Sequence, residues 1–151
     1  MGDNGTGKTT LLRILRDEMP KGIAFQGDIR VNPGVRMGWF DQDHAKTLDL
    51  NATALENAMD TSHLPESTAR TVIARMNIRG DDVFKPVRVL SGGERAKIAL
   101  AKLLLSGVNL LILDEPTNHL DLVTMESLER MLRDYGGTLL FVSHDKAFVS
   151  A

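Results

Sequence analysis

The sequence predicts an α/β fold with a parallel sheet, on three observations. A glycine-rich loop at Gly2–Gly7 runs into a leucine-bearing helix. An apolar run, Leu110–Leu113, ends on the paired carboxylates Asp114-Glu115. A strand–helix–strand pattern follows it. The composition agrees with a soluble globular protein: 42% of the 151 residues are apolar and 25% are charged. The length alone suggests one domain. The formal charge of -2 excludes a generic nucleic-acid binder with a basic excess. The absence of cysteine excludes disulfide scaffolds, Cys-ligated zinc and thiol catalysis. Apolar runs reach only four residues, too short to span a membrane. Met1 leads directly into the glycine loop, without the basic and apolar regions of a secretory signal, so a cytoplasmic setting is expected.

The elements follow in order. Leu11, Leu12, Ile14 and Leu15 fall at helical spacing, in a helix expected to reach about Glu18 and to end before Pro20 and Gly22. Ile23–Phe25, Asp28–Val31 and Val35–Phe40, around the turn Asn32-Pro33-Gly34, predict a small antiparallel meander. Asn51–Met59 and Pro65–Met76 read as helices, and residues 78–90 as irregular. Ser91, with Glu94 three residues on, predicts an N-cap opening an apolar, largely buried helix that runs to Leu105. Leu110–Leu113 is a buried strand. Asp121–Tyr135 is an amphipathic helix with Leu122, Met125, Leu128 and Leu132 on one face, ended by Gly136-Gly137. Thr138–Val142 is the next strand.

Two stretches carry chemistry. Gly2-Asp3-Asn4-Gly5-Thr6-Gly7-Lys8-Thr9 matches G-x-x-x-x-G-K-[ST]. Its glycines let successive backbone N–H groups turn inward around phosphate oxygens, and the following helix adds its N-terminal dipole. Lys8 would reach the β- and γ-phosphates, and Thr9 would offer its hydroxyl to Mg²⁺. The alternative is a flexible glycine-rich end, which the leucine helix directly behind disfavours. Asp114-Glu115 is the companion feature. The strand delivers Asp114 to the metal shell and Glu115 to an attacking water. The alternative is a strand end with two solvated acids.

Leu90-Ser91-Gly92-Gly93-Glu94 narrows the class, because it resembles the LSGGQ signature of ATP-binding cassette (ABC) proteins. Gln42 resembles their Q-loop glutamine, Leu120-Asp121 their D-loop, and His144 in Val142-Ser143-His144-Asp145 their switch histidine. Glu115-Pro116-Thr117-Asn118-His119-Leu120-Asp121 and Gly38-Trp39-Phe40-Asp41-Gln42 are similar to stretches of the ABC-F group, in which Glu is frequent at the position of Glu94.

The resemblance implies a P-loop NTPase of the ABC type, with a small antiparallel β part and a helical subdomain. That subdomain would occupy about residues 43–90, between Q-loop and signature, within a partial ATPase domain spanning 1–151. Gly2, Asn4, Gly5, Thr6, Gly7, Lys8, Thr9 and Thr10 would hold the triphosphate. Thr9, Gln42 and Asp114 would share the Mg²⁺ environment. Glu115 would be the general base, with Gln42 and His144 completing the catalytic set. Ser91, Gly92 and Gly93 would contact ATP bound to a second cassette, in a head-to-tail sandwich, and Asp121, among the nucleotide-binding residues, would help join the two sites.

The resemblance further implies that such proteins work on the ribosome, with rRNA and tRNA as neighbours, in translation or antibiotic resistance and without membrane insertion. A cassette would normally continue beyond both ends of this chain, so an N- and C-terminally incomplete domain, weakly active or inactive and poorly stable alone, is expected. Two other readings stay open: the ATP-binding subunit of a transporter, which shares every motif except the Asn118-His119 flavour, and a non-catalytic fragment.

Overall fold

The computed structural model describes residues 8–16, 26–41, 43–118 and 120–144, with only the backbone of Lys8, Thr9, His44 and Ala45. The chain divides into two units, Met1–Val35 and Arg36–Ala151.

In the first unit, α1 spans Lys8–Leu15. Leu12 is buried and Leu11 is exposed, and Arg13 in the last turn suits the negative end of the helix dipole. Glu18 lies outside the described residues. The expected turn at Asn32-Pro33-Gly34 is present: Gly34 N–H donates to Asn32 Oδ1 and Val35 N–H to the Asn32 carbonyl.

The second unit is built on β2, Leu110–Asp114, the centre of a three-stranded parallel sheet ordered β1-β2-β3. Here β1 is Met37–Phe40 and β3 is Thr138–Val142. Leu111, Ile112 and Leu113 are all buried, as expected of a parallel strand covered on both faces. The helix α5, Leu122–Arg133, joins β2 to β3 and completes the expected βαβ unit.

The antiparallel meander expected from Ile23–Phe25, Asp28–Val31 and Val35–Phe40 is not formed by the described part of it. Ile23–Phe25 lie outside the described residues, and 28–31 belong to no strand, with Ile29 and Val31 exposed. Met37–Phe40 is a strand, but it runs parallel to β2 in the register Met37↔Leu110 to Phe40↔Leu113. The cause is local. A Cβ at position 38 would lie 2.4 Å from Leu103 Cδ1 and 2.9 Å from Val108 Cγ2, so Gly38 lets β1 lie against these side chains.

The helical part between β1 and β2 begins with a 3₁₀ turn at His44–Thr47. The helix α2 covers Ala54–Met59, opened by a capping box between Thr53 and Glu56. The helix α3 covers Glu66–Arg75, with Pro65 at its N-cap. Residues 78–90, expected to be irregular, hold two further 3₁₀ turns, Gly80–Phe84 and Val87–Val89. The long helix α4, Gly92–Leu105, ties this part to the sheet. Its Ile98, Leu100, Ala101 and Leu105 share one buried cluster with Ile73, Met76, Leu111, Leu113 and Leu128.

On α5 the buried row is Thr124, Leu128 and Leu132, spaced by four, whereas Leu122 is 66% exposed. The expected face is therefore displaced at its start. Thr124 takes the inward place, with its hydroxyl satisfied by the Asp121 carboxylate.

Candidate active site

Two carboxylates stand where the central strand ends. Asp114 closes β2 and is half-buried. Glu115 follows with φ 50, in the left-handed region that costs an L-residue about 1–2 kcal/mol. A hydrogen bond from Glu115 N–H to the Val142 carbonyl, 2.8 Å, holds this turn against the end of β3. Strain of this kind persists only where neighbours enforce it, and it re-aims the side chain.

The Glu115 side chain is 14% exposed and meets His144, just past β3. Glu115 Oε2 accepts from His144 N–H at 3.3 Å. The imidazole Nε2 lies 3.3 Å from Oε1 but off line for a hydrogen bond, so Oε1 is buried without a hydrogen-bond partner among the described residues. A buried carboxylate oxygen with an unused lone pair is costly unless something donates to it, and a water entering this corner could do so. The β2–β3 register, Asp114↔Val142, brings these two residues together from positions 29 apart in sequence.

The signature stretch is a helix start. Ser91 caps α4. Its Oγ accepts from Glu94 N–H, and Glu94 Oε2 accepts from Ser91 N–H and Oγ at 2.8 and 2.7 Å. These bonds, the one from the Ser91 side chain first, hold the Glu94 carboxyl below its ordinary range. A capping box takes either Glu or Gln at this position, and here a carboxylate fills it. No described residue lies within 4 Å of a Cβ built at Gly92, so among the described residues the helix start is open on that side. We expect Ser91→Ala to cost about 1 kcal/mol of stability, read as a lower urea midpoint with an unchanged slope.

Asp121 caps α5 and is more engaged than its motif suggests. Its Oδ1 accepts from Thr124 N–H at 2.9 Å, and its Oδ2 accepts from the Lys97 ammonium on α4. The lysine bond, followed by the Thr124 amide, lowers the Asp121 carboxyl to about 2. The motif order did not reveal Lys97 or its neighbour Arg95. Arg95 donates from Nε to the Val87 and Leu90 carbonyls and from a terminal nitrogen to that of Arg88, bracing the turn before Ser91. The available signal was a lysine inside the apolar run Ala96–Ala101, where a charge needs a partner.

The rest of the expected site is less fully described. Gly2, Asn4, Gly5, Thr6, Gly7 and Gln42 lie outside the described residues. Lys8 and Thr9 open α1, directly behind the loop, and Thr10 is exposed in its first turn. Of the expected metal ligands Thr9, Gln42 and Asp114, only Asp114 has a described side chain. Among the described residues, no three His, Asp or Glu side chains form a metal-sized group, and no helix is long and apolar enough to cross a membrane.

Residues 1–118 match the family model of the ABC transporter domain. YdiF of Bacillus subtilis is 48% identical over 150 residues, which are 99% of this chain and 23% of that protein. The ATP-binding protein Uup of Haemophilus influenzae is 43% identical over 157 residues, covering 99% of this chain and 23% of that protein. The mouse (Mus musculus) ATP-binding cassette sub-family F member 3 is 37% identical over 150 residues, covering 99% and 21%. The chain thus spans about a quarter of the length of the curated relatives it matches. Two structures of the cassette MJ0796 share the fold at 22% identity. The first, dimeric and bound to ADP and Pi after hydrolysis, has TM-score 0.68 and covers 98% of this chain and 74% of that one. The second, also dimeric, has TM-score 0.72 and covers 99% and 75%. Matched over most of its length by the family model, the chain belongs to the ABC transporter family of ATP-binding cassettes, with F-subfamily members among its relatives.

Proposed function

We propose that this chain binds ATP with Mg²⁺ and, facing a second cassette, contributes to ATP hydrolysis. The carrying observation is the corner formed by Glu115 and His144, with Oε1 of Glu115 buried and, among the described residues, without a hydrogen-bond partner. It lies at the C-terminal ends of parallel strands, the side on which α/β sheets bind ligands. The donor set fits the cofactor: a half-buried carboxylate, Asp114, stands one residue before the candidate base. Mg²⁺, held by Thr9, Gln42 and Asp114, would neutralise charge on the β- and γ-phosphate oxygens.

The chain's own residues do the rest. The backbone of Gly2–Gly7, with Asn4, Gly5 and Thr6 at its centre, and the Lys8 ammonium bind the phosphates, with Thr10 closing the first turn behind them. Glu115 Oε1 takes the proton of the attacking water. His144, anchored to Glu115 through its backbone N–H, contacts the γ-phosphate with its exposed ring. The open start of α4 presents the backbone N–H groups of Gly92 and Gly93, next to Ser91, to ATP on the second cassette, with Asp121 held to α4 through Lys97. The dimeric form of the MJ0796 structures supports that pairing. The likeness of the Glu115–Asp121 stretch to the ABC-F group extends this reading to a cytoplasmic parent protein acting on the ribosome.

The test is titration with a fluorescent ATP analogue. Lys8→Ala should weaken binding by about 10–100-fold, the loss of one charge-assisted contact. Equal affinity in the two chains removes the phosphate-loop assignment. Cosedimentation of Glu115→Gln protein with ribosomes in ATP tests the finer role, and ATP binding without cosedimentation removes the ribosome from the reading.

A further inference from the structure

One cation lies between the two helix starts assigned to the second cassette. Lys97 is buried in the middle of α4, its side chain only 10% exposed. An ammonium in such a place needs a partner, and it has the Asp121 carboxylate, which itself caps α5. Lys97 also follows Glu94, the capping-box carboxylate of α4, by three residues and lies close enough for its charge to favour the ionised Glu94. Both Asp121 oxygens are occupied from within the chain. Oδ1 accepts from Thr124 N–H, and Oδ2 from Lys97, with the Thr124 hydroxyl 2.9 Å from each. The carboxylate therefore holds one helix to the other while its side chain stays 45% exposed at the surface.

We propose that Lys97 is a positioning residue that fixes the starts of α4 and α5 to one another, so that Ser91 and Asp121 meet the second cassette as one rigid edge. This rests on the reading that these two residues face a second cassette. The bracing of Val87, Arg88 and Leu90 by Arg95 complements it: within three residues, α4 carries one cation for the turn before Ser91 and another for the segment that leads into α5.

The test is amide hydrogen exchange of the nucleotide-free chain, so a failure falls on Lys97 and not on the ATPase reading. Lys97→Met should speed exchange at Thr124 by about fivefold, the scale of a lost helix cap, while Leu100 and Ala101 within α4 keep their rates. Lys97→Arg should restore the slow rate. Unchanged exchange at Thr124, an equal acceleration throughout α4 and α5, or failure of Arg to restore it overturns the proposal. A second measurement uses the unaltered chain. In a carbon-13 NMR titration the Asp121 carboxyl should remain ionised to about 2. A midpoint at the ordinary value of about 3.9 overturns the proposal even where a variant fails to fold.

Discussion

Glu115→Gln is expected to lower ATP turnover by paired cassettes about 10²–10⁴-fold, the usual range for a general base, with ATP still bound. The substitution is nearly isosteric. An amide oxygen can accept from His144 N–H as Glu115 Oε2 does now. The amide nitrogen then takes the place of Oε1, buried beside the imidazole. The corner therefore keeps its shape and loses only its proton acceptor. Phosphate release measures the loss, and size-exclusion chromatography in ATP measures whether the paired state accumulates, as it should when hydrolysis no longer resolves it. Release within about tenfold of the parent assigns the proton to another group, and Glu115 would then be a strained structural acid that ties β2 to β3. The same measurement with Glu115→Asp separates charge from reach. The shorter acid keeps the charge but withdraws the oxygen from the corner, so it should also be slow.

Much of this corner was legible in the sequence, and the illegible parts share a cause. The apolar run Leu110–Leu113 and its terminal acids announce a buried strand that ends on carboxylates, because length and composition suffice for that. The Ser91–Glu94 box announces a helix start, because both partners lie within one turn. The direction of Met37–Phe40 was not legible. A short apolar run near a Pro-Gly turn looks the same whether its neighbour runs parallel or antiparallel, and the neighbour is 73 residues away. The left-handed turn at Glu115 has no local signature either, since nothing in the residue type calls for it and the Val142 carbonyl enforces it. Leu122 read as core because spacing alone was counted. The cap at Asp121 sets the phase of α5 and turns Thr124 inward instead. Lys97 belongs with these, because its reason for being charged lies 24 residues further on. Local chemistry was readable, whereas contacts made between distant segments were not.

Leu111→Ala is expected to destabilise the fold by about 2–5 kcal/mol, a sizeable share of the 5–15 kcal/mol typical of a domain. Leu111 is the first fully buried residue of the central strand, at 0% exposure, with Gly38 on one side of it in the ladder and Leu139 on the other. Gly38 contributes no side chain, and Leu103 and Val108 already occupy the space over it. A methyl group in place of the Leu111 isobutyl leaves a cavity that only rigidly held neighbours could fill, so the site should collapse poorly. Leu122→Ala is the matched control, the same atoms removed from a residue 66% exposed, and should shift stability by less than about 0.5 kcal/mol. Urea unfolding followed by circular dichroism compares the two, and equal midpoints would remove β2 from the centre of the core. The consequence reaches the site, because the same strand carries Asp114 and aims Glu115. Any slack in β2 loosens the register Asp114↔Val142, through which Glu115 and His144 meet. In Leu111→Ala, exchange at the Glu115 and His144 amides should therefore rise together, although neither residue has been altered.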